Sequence, residues 1–166
     1  MRLSIFCFII IVISVEASAQ DYRRWEINED GSISWMIKGD IPHKDHIEMS
    51  GKQISCVLRY GVAADGSFEL TRSLVWPMLR TIPNNTHASL NHRFEDDPLD
   101  LIRVDGQPLP SEKVSKILLN GAIETISSLG ERIRLIRQLF PLLTAPGYCE
   151  IYHIENISSF PVTVEV

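Results

Sequence analysis

The sequence predicts an all-β fold, an antiparallel β-sandwich, and three observations carry that expectation. Apolar residues recur at every second position through several short segments, which leaves one apolar and one polar face on each. Asp-Gly, Asn-Gly and proline-containing stretches interrupt these segments, and such residues mark turns. Strands at short, regular intervals describe a sandwich or barrel rather than a parallel βαβ sheet.

In chain order, the first element is not part of that fold. Arg2, an apolar run from Leu3 to Val15 and the small-residue pattern Ala17-Ser18-Ala19 form a secretory signal peptide with cleavage after Ala19. The apolar run falls short of the roughly 18–20 residues that span a bilayer. Cys7 sits inside the run, which does not fit a lipid-attachment signal. Residues 20–166 then make one domain, exported to the periplasm or the extracellular space and free of the membrane after cleavage. The full chain has 16 Lys plus Arg against 21 Asp plus Glu, a net charge of −5. That balance argues against nucleic-acid binding, which needs clustered positive charge.

Ile33, Trp35 and Ile37 alternate with Ser34 and Met36 after the turn Asp30-Gly31 and predict a short strand. Ile54, Cys56, Leu58 and Tyr60 share one parity, as do Phe68, Leu70, Leu74 and Trp76, with Asp65-Gly66 between the two runs, so residues 53–76 read as a hairpin. Leu101–Val104 reads as a short strand closed by Asp105-Gly106, with Pro108 and Pro110 keeping the next residues out of a ladder. From Val114 to Leu129 helical spacing competes with a hairpin about Asn120-Gly121. The hairpin is preferred, because a mid-helix glycine costs about 1 kcal/mol and the flanking Ile and Thr lean to strand. Ile133–Phe140, Tyr148–Glu155 and the Val162, Val164, Val166 series predict three more strands around a core built on Trp35, Leu58, Leu74 and Trp76. The chain stops at Val166 inside an alternating run, which fits either a closing strand or the front part of a longer protein with an incomplete core.

Of the three cysteines, Cys56 and Cys149 follow the cleavage site. An exported pair can form a disulfide, but one pair at long separation has no spacing signature, and two small buried apolar groups is the preferred account.

Three clusters invite a chemical reading. Trp76, Arg80, Asn84, Asn85 and His87 lie on a proline-fixed connection and offer an aromatic face with hydrogen-bonding groups, the chemistry that holds sugars; a packed corner between strands fits them equally well. His43, Asp45, His46 and Glu48 are weak metal or acid/base candidates, since on a strand His46 and Glu48 share a face and Asp45 points away. Glu95, Asp96, Asp97 and Asp100 form an acidic loop without EF-hand spacing, and solvation is the expected role. Cys149 and His153 are four residues apart on a strand and do not read as a nucleophile pair. No pair of carboxylates can be nominated from spacing for glycoside hydrolysis, and no cofactor motif is present. Asn84-Asn85-Thr86 and Asn156-Ile157-Ser158 match the N-glycosylation acceptor pattern.

The run Asp45-His46-Ile47-Glu48-Met49-Ser50-Gly51, the hairpin from Tyr60-Gly61-Val62 to Asp65-Gly66, residues 76–90, and Ile154-Glu155-Asn156 with Pro161–Val166 together resemble the N-terminal β-sandwich of exported bacterial six-hairpin glycosidases. The resemblance implies a supersandwich-like domain that packs on a catalytic (α/α)6 barrel, and this chain contains no barrel. It implies an accessory, non-catalytic sandwich or fragment concerned with carbohydrate breakdown, whose partner is that barrel or a polysaccharide. The alternatives are a stand-alone extracellular glycan-binding module and a small exported glycosidase.

Overall fold

The computed structural model describes residues 24–38, 42–76 and 90–166, together with the backbone of 80–81 and 86–87. Residues 1–19, which the sequence reads as a signal peptide, lie outside the described residues. The fold is all-β, as the alternation predicts.

A short hairpin, β1 (Glu26–Ile27) and β2 (Ile33–Met36), opens it. An antiparallel meander follows as β3 (His43–Ser50), β4 (Ser55–Val62) and β5 (Phe68–Trp76). A small hairpin, β6 (Arg80–Thr81) and β7 (Thr86–His87), precedes β8 (Leu90–Phe94), which returns to pair with β5. A 3-10 turn, η1 (Pro98–Leu101), leads into β9 (Arg103–Val104) and β10 (Gln107–Pro108). The second meander is β11 (Glu112–Leu119), β12 (Ile123–Leu129), β13 (Ile133–Pro141) and β14 (Tyr148–Asn156), and β15 (Val164–Glu165) comes last.

These strands assemble into a six-stranded sheet ordered β1-β2-β11-β12-β13-β14, a four-stranded sheet β3-β4-β5-β8 and a three-stranded sheet β10-β9-β15. All the pairings are antiparallel. The larger two sheets face each other. His43 at the start of β3 stacks edge-on against Trp35 in β2, while Gly51 beyond its end lies against Pro141 and Leu142 at the end of β13, so β3 runs across the strands of the larger sheet.

The hairpin over 53–76 and the hairpin about Asn120-Gly121 both form. Gly121 has φ 71°, a conformation that suits glycine and closes the tight turn. The helix-like spacing of Val114 and Ile117 has a different cause: the register shifts between Val114 and Lys116, and this bulge turns both residues toward the core.

Three sequence expectations are corrected. Leu101 belongs to η1, not to a strand, and only Arg103–Val104 pairs. Pro108 does enter a ladder, opposite Arg103, because a two-residue turn with Asp105 at φ 53° places it at a strand end. The Val162–Val166 alternation yields only Val164–Glu165, paired with β9.

Two apolar cores result. The first lies between the two large sheets and contains Trp35, Ile54, Cys56, Leu58, Tyr60, Leu74, Ile117 and Leu139, with Trp76 partly buried at its border. The second, Leu99, Ile102, Leu129, Ile133 and Leu135, lies between the six-stranded sheet and the cover made by η1 and β9. Each fully buried aliphatic side chain contributes about 1.5–3 kcal/mol.

Gly51 lets the β3–β4 turn approach the end of β13: a Cβ there would stand 2.6 Å from the Leu142 carbonyl oxygen. Gly51→Ala therefore forces backbone to move. We expect it to lower stability by about 1–3 kcal/mol, read as a fall in the urea midpoint; an unchanged midpoint would show that the contact yields freely.

A buried ion cluster as the candidate functional site

Strand pairing fixes which side chains meet between the sheets. Thr125, Arg137 and Tyr152 are register neighbours across β12, β13 and β14, and the rows on either side, Ser127 with Leu135 and Ile154, and Ile123 with Leu139 and Glu150, each add one polar residue. Leu135 belongs to one core and Leu139 to the other, so Arg137 marks the seam between them. From the facing sheet, β5 directs Arg72 into the same space. The two arginines are 2% and 1% exposed, which demands partners.

Three carboxylates supply them. Arg72 grips Glu150 with two arms, Nε to Oε2 at 2.7 Å and Nη2 to Oε1. Arg72 Nη2 also donates to Asp97 Oδ1 at 3.3 Å, and Arg137 Nη1 donates to Asp97 Oδ2 at 3.0 Å. Arg137 Nη2 donates to Glu112 Oε2 at 2.6 Å, and Glu112 Oε1 lies 2.6 Å from Ser127 Oγ. Asp97 Oδ1 takes a further bond from the Leu99 N–H, so the same carboxylate caps η1. Each of the carboxylate oxygens on Asp97, Glu112 and Glu150 thus has a partner inside the protein.

The electrostatics follow from this packing. Burial alone would raise the Asp97 carboxyl, but Arg137, the Leu99 N–H and Arg72 together hold it below the ordinary carboxylate range. At Glu112 burial prevails over the attraction of Arg137 and the Ser127 hydroxyl, and the carboxyl is pushed up. Burial opposes the charge on Arg72, yet Glu150 and Asp97 outweigh it and strengthen its hold on the proton. The Arg137 guanidinium carbon lies 5.6 Å from the centre of the Tyr152 ring, whose hydroxyl burial also keeps un-ionised. Among the described residues Arg137 Nε and Thr125 Oγ1 are buried without a hydrogen-bond partner. A cavity of about 240 Å³ opens beside the cluster, lined in part by Phe68, Asp97, Asp100, Glu112 and Arg137.

The sequence-nominated residues are distributed elsewhere. Trp76 is half-buried and packs against the first core. Arg80 and His87 are register partners in β6–β7, and Asn84 and Asn85 lie outside the described residues. His43 faces inward, with Nε2 3.3 Å from Tyr60 Oη, and burial, then Arg24, lowers its proton affinity against the pull of Asp45. Burial pushes the Tyr60 hydroxyl up to about 12. His46 and Glu48 sit exposed on the opposite face of β3, as their parity predicts. Among the described residues no three His, Cys, Asp or Glu side chains converge to hold a metal.

The acidic loop is corrected in one respect: Asp97 turns inward to the arginines, whereas Glu95, Asp96 and Asp100 stay exposed. Cys56 and Cys149 are both free thiols; Cys56 is fully buried, which pushes its thiol up to about 11, and Cys149 is half-buried. In the second acceptor motif the Asn156 amide nitrogen donates to the Phe160 carbonyl at 2.7 Å, a bond that a glycan there would disrupt. Sequence reasoning missed Arg72, Glu112, Arg137 and Glu150, although Arg72 and Arg137 each occupy an inward position between two leucines, Leu70 and Leu74, Leu135 and Leu139. No protein family, curated protein or solved structure matches the chain.

Proposed function

We propose that this chain is a non-catalytic β-sandwich of an exported carbohydrate-degrading enzyme, working beside a catalytic barrel domain. The observation that carries the reading is the state of the converging acids. Glycoside hydrolysis needs one carboxyl group free to give a proton and another free to act as base or nucleophile. Here the oxygens of Asp97, Glu112 and Glu150 are committed to arginines, a serine and a backbone N–H. Such a cluster serves to join the sheets, which supports the non-catalytic reading.

A second feature supports a partner. A sheet open to water on one side normally alternates to polar residues there. The outward side of the six-stranded sheet carries Met36, Leu118, Ile126, Ile136, Phe140 and Ile151 among polar residues such as Lys116, Glu124, Arg134 and Gln138, with Met36 and Ile151 52% and 47% exposed.

Two measurements on purified residues 20–166 test the reading. Against a panel of glycosides and polysaccharides we expect no turnover, and in affinity electrophoresis no retardation by the same polysaccharides. Hydrolysis of any substrate sinks the proposal. Retardation that vanishes in Trp76→Ala, with the circular-dichroism spectrum intact, replaces it with a glycan-binding module.

A further inference from the structure

The seam between the two cores does not balance in charge. Arg72 and Arg137 bring two positive charges, and Asp97, Glu112 and Glu150 bring three negative ones when fully ionised. An uncompensated charge in the interior is costly, and closely spaced carboxylates resolve the cost by sharing a proton. The hydrogen-bond pattern decides where that proton can sit. Glu150 meets both arms of Arg72, with Arg137 Nη1 3.7 Å away, and neither guanidinium can accept a hydrogen bond. Asp97 meets Arg72, Arg137 and the Leu99 N–H, again donors only. Both Glu150 oxygens are held by Arg72, although Glu150 also meets the Tyr152 hydroxyl, whereas Glu112 Oε1 bonds to no guanidinium and its bonded neighbour, the Ser127 hydroxyl at 2.6 Å, can accept.

We propose that the folded seam carries one proton, held on Glu112 and directed at Ser127, under conditions in which solvent-exposed glutamates are ionised. The groups around Glu112 agree. Arg137 from β13 stays bonded to its other oxygen, Asp97 from the η1 cap and Arg72 from β5 act at longer range, and Ser127 from β12 faces the protonated oxygen. Glu150 and Tyr152 from β14 lie across Arg137, and exposed Asp100 shares the adjoining cavity. The push of burial on the Glu112 carboxyl is in the same direction. This assignment concerns the fold and stands whether or not the chain belongs to a carbohydrate-degrading enzyme.

The sign of the pH effect follows. A carboxyl that holds its proton more tightly folded than unfolded destabilises the fold as pH rises from the ordinary glutamate value through its folded value. Asp97, held low, acts in a separate window, below the ordinary carboxylate value.

The test is carbon-detected NMR of the side-chain carboxyls at about pH 6, well above the ordinary glutamate value of about 4.3, in the intact exported chain and in Glu112→Gln. We expect one un-ionised glutamate signal in the wild type and its loss in Glu112→Gln. Glutamine reproduces the protonated form, with its oxygen toward Arg137 and its amide toward Ser127. That variant should keep the wild-type urea midpoint at about pH 6 and lose the fall in midpoint at higher pH, whereas Glu150→Gln, which turns an amide donor on Arg72, should lower the midpoint sharply. Full ionisation of every glutamate, persistence of the signal in Glu112→Gln, or failure of Glu112→Gln to fold would each overturn the assignment.

Discussion

Arg137→Leu is expected to lower folding stability by about 3–5 kcal/mol, the range found when one partner of a buried ion pair is removed. Leucine fits the neighbourhood, since Leu135 and Leu139 flank the site on the same strand face. The loss comes from what is left behind: Asp97 Oδ2 and Glu112 Oε2 each lose the guanidinium that holds them. Urea unfolding of residues 20–166 at neutral pH reads the effect as a large fall in midpoint with an unchanged slope. Arg137→Lys should fall between, because an ammonium keeps the charge but cannot fork to two carboxylates. A cost below about 1 kcal/mol, the range of exposed pairs, would mean that water reaches the seam freely.

Trp35→Ala should cost about 3–5 kcal/mol by emptying one end of the first core. Trp35 is 4% exposed and lies edge-on to both Trp25, at 5.7 Å, and His43, at 5.4 Å. Its removal takes away the wall against which the inward histidine of β3 rests. The near-ultraviolet circular-dichroism signal should weaken along with the urea midpoint. Trp76→Ala, at a half-buried border position, should cost distinctly less; equal losses would contradict the burial that distinguishes the two indoles.

The alternation of Ile54, Cys56, Leu58 and Tyr60, or of Leu135 and Leu139, made the strands legible because one buried face leaves a period of two in the sequence. The turn pairs Asp65-Gly66 and Asn120-Gly121 located the two hairpins. Legibility failed where tertiary contacts override local pattern. The bulge at Ser115 gave β11 a helix-like spacing that competed with the hairpin reading, since an extra residue in a strand mimics the spacing of a helical face. β8 and β1 were not foreseen, the first being largely exposed and the second only two residues long. The ion cluster was hidden for a different reason. Its members come from β5, the η1 cap, β11, β13 and β14, and no local spacing records that they meet. A legible trace did exist: a charged residue at an inward position of an apolar series needs an opposite charge across the interior.

Strand β14 forms one border of the six-stranded sheet, and among the described residues nothing pairs with its far side. A border strand can slide, because a displaced ladder still satisfies most backbone groups. Glu150 removes that freedom: displacement by one position would swing its carboxylate away from Arg72 and present Cys149 or Ile151 to a buried cation instead. The arginine therefore fixes the parity of this border strand, penalising every odd-numbered misalignment.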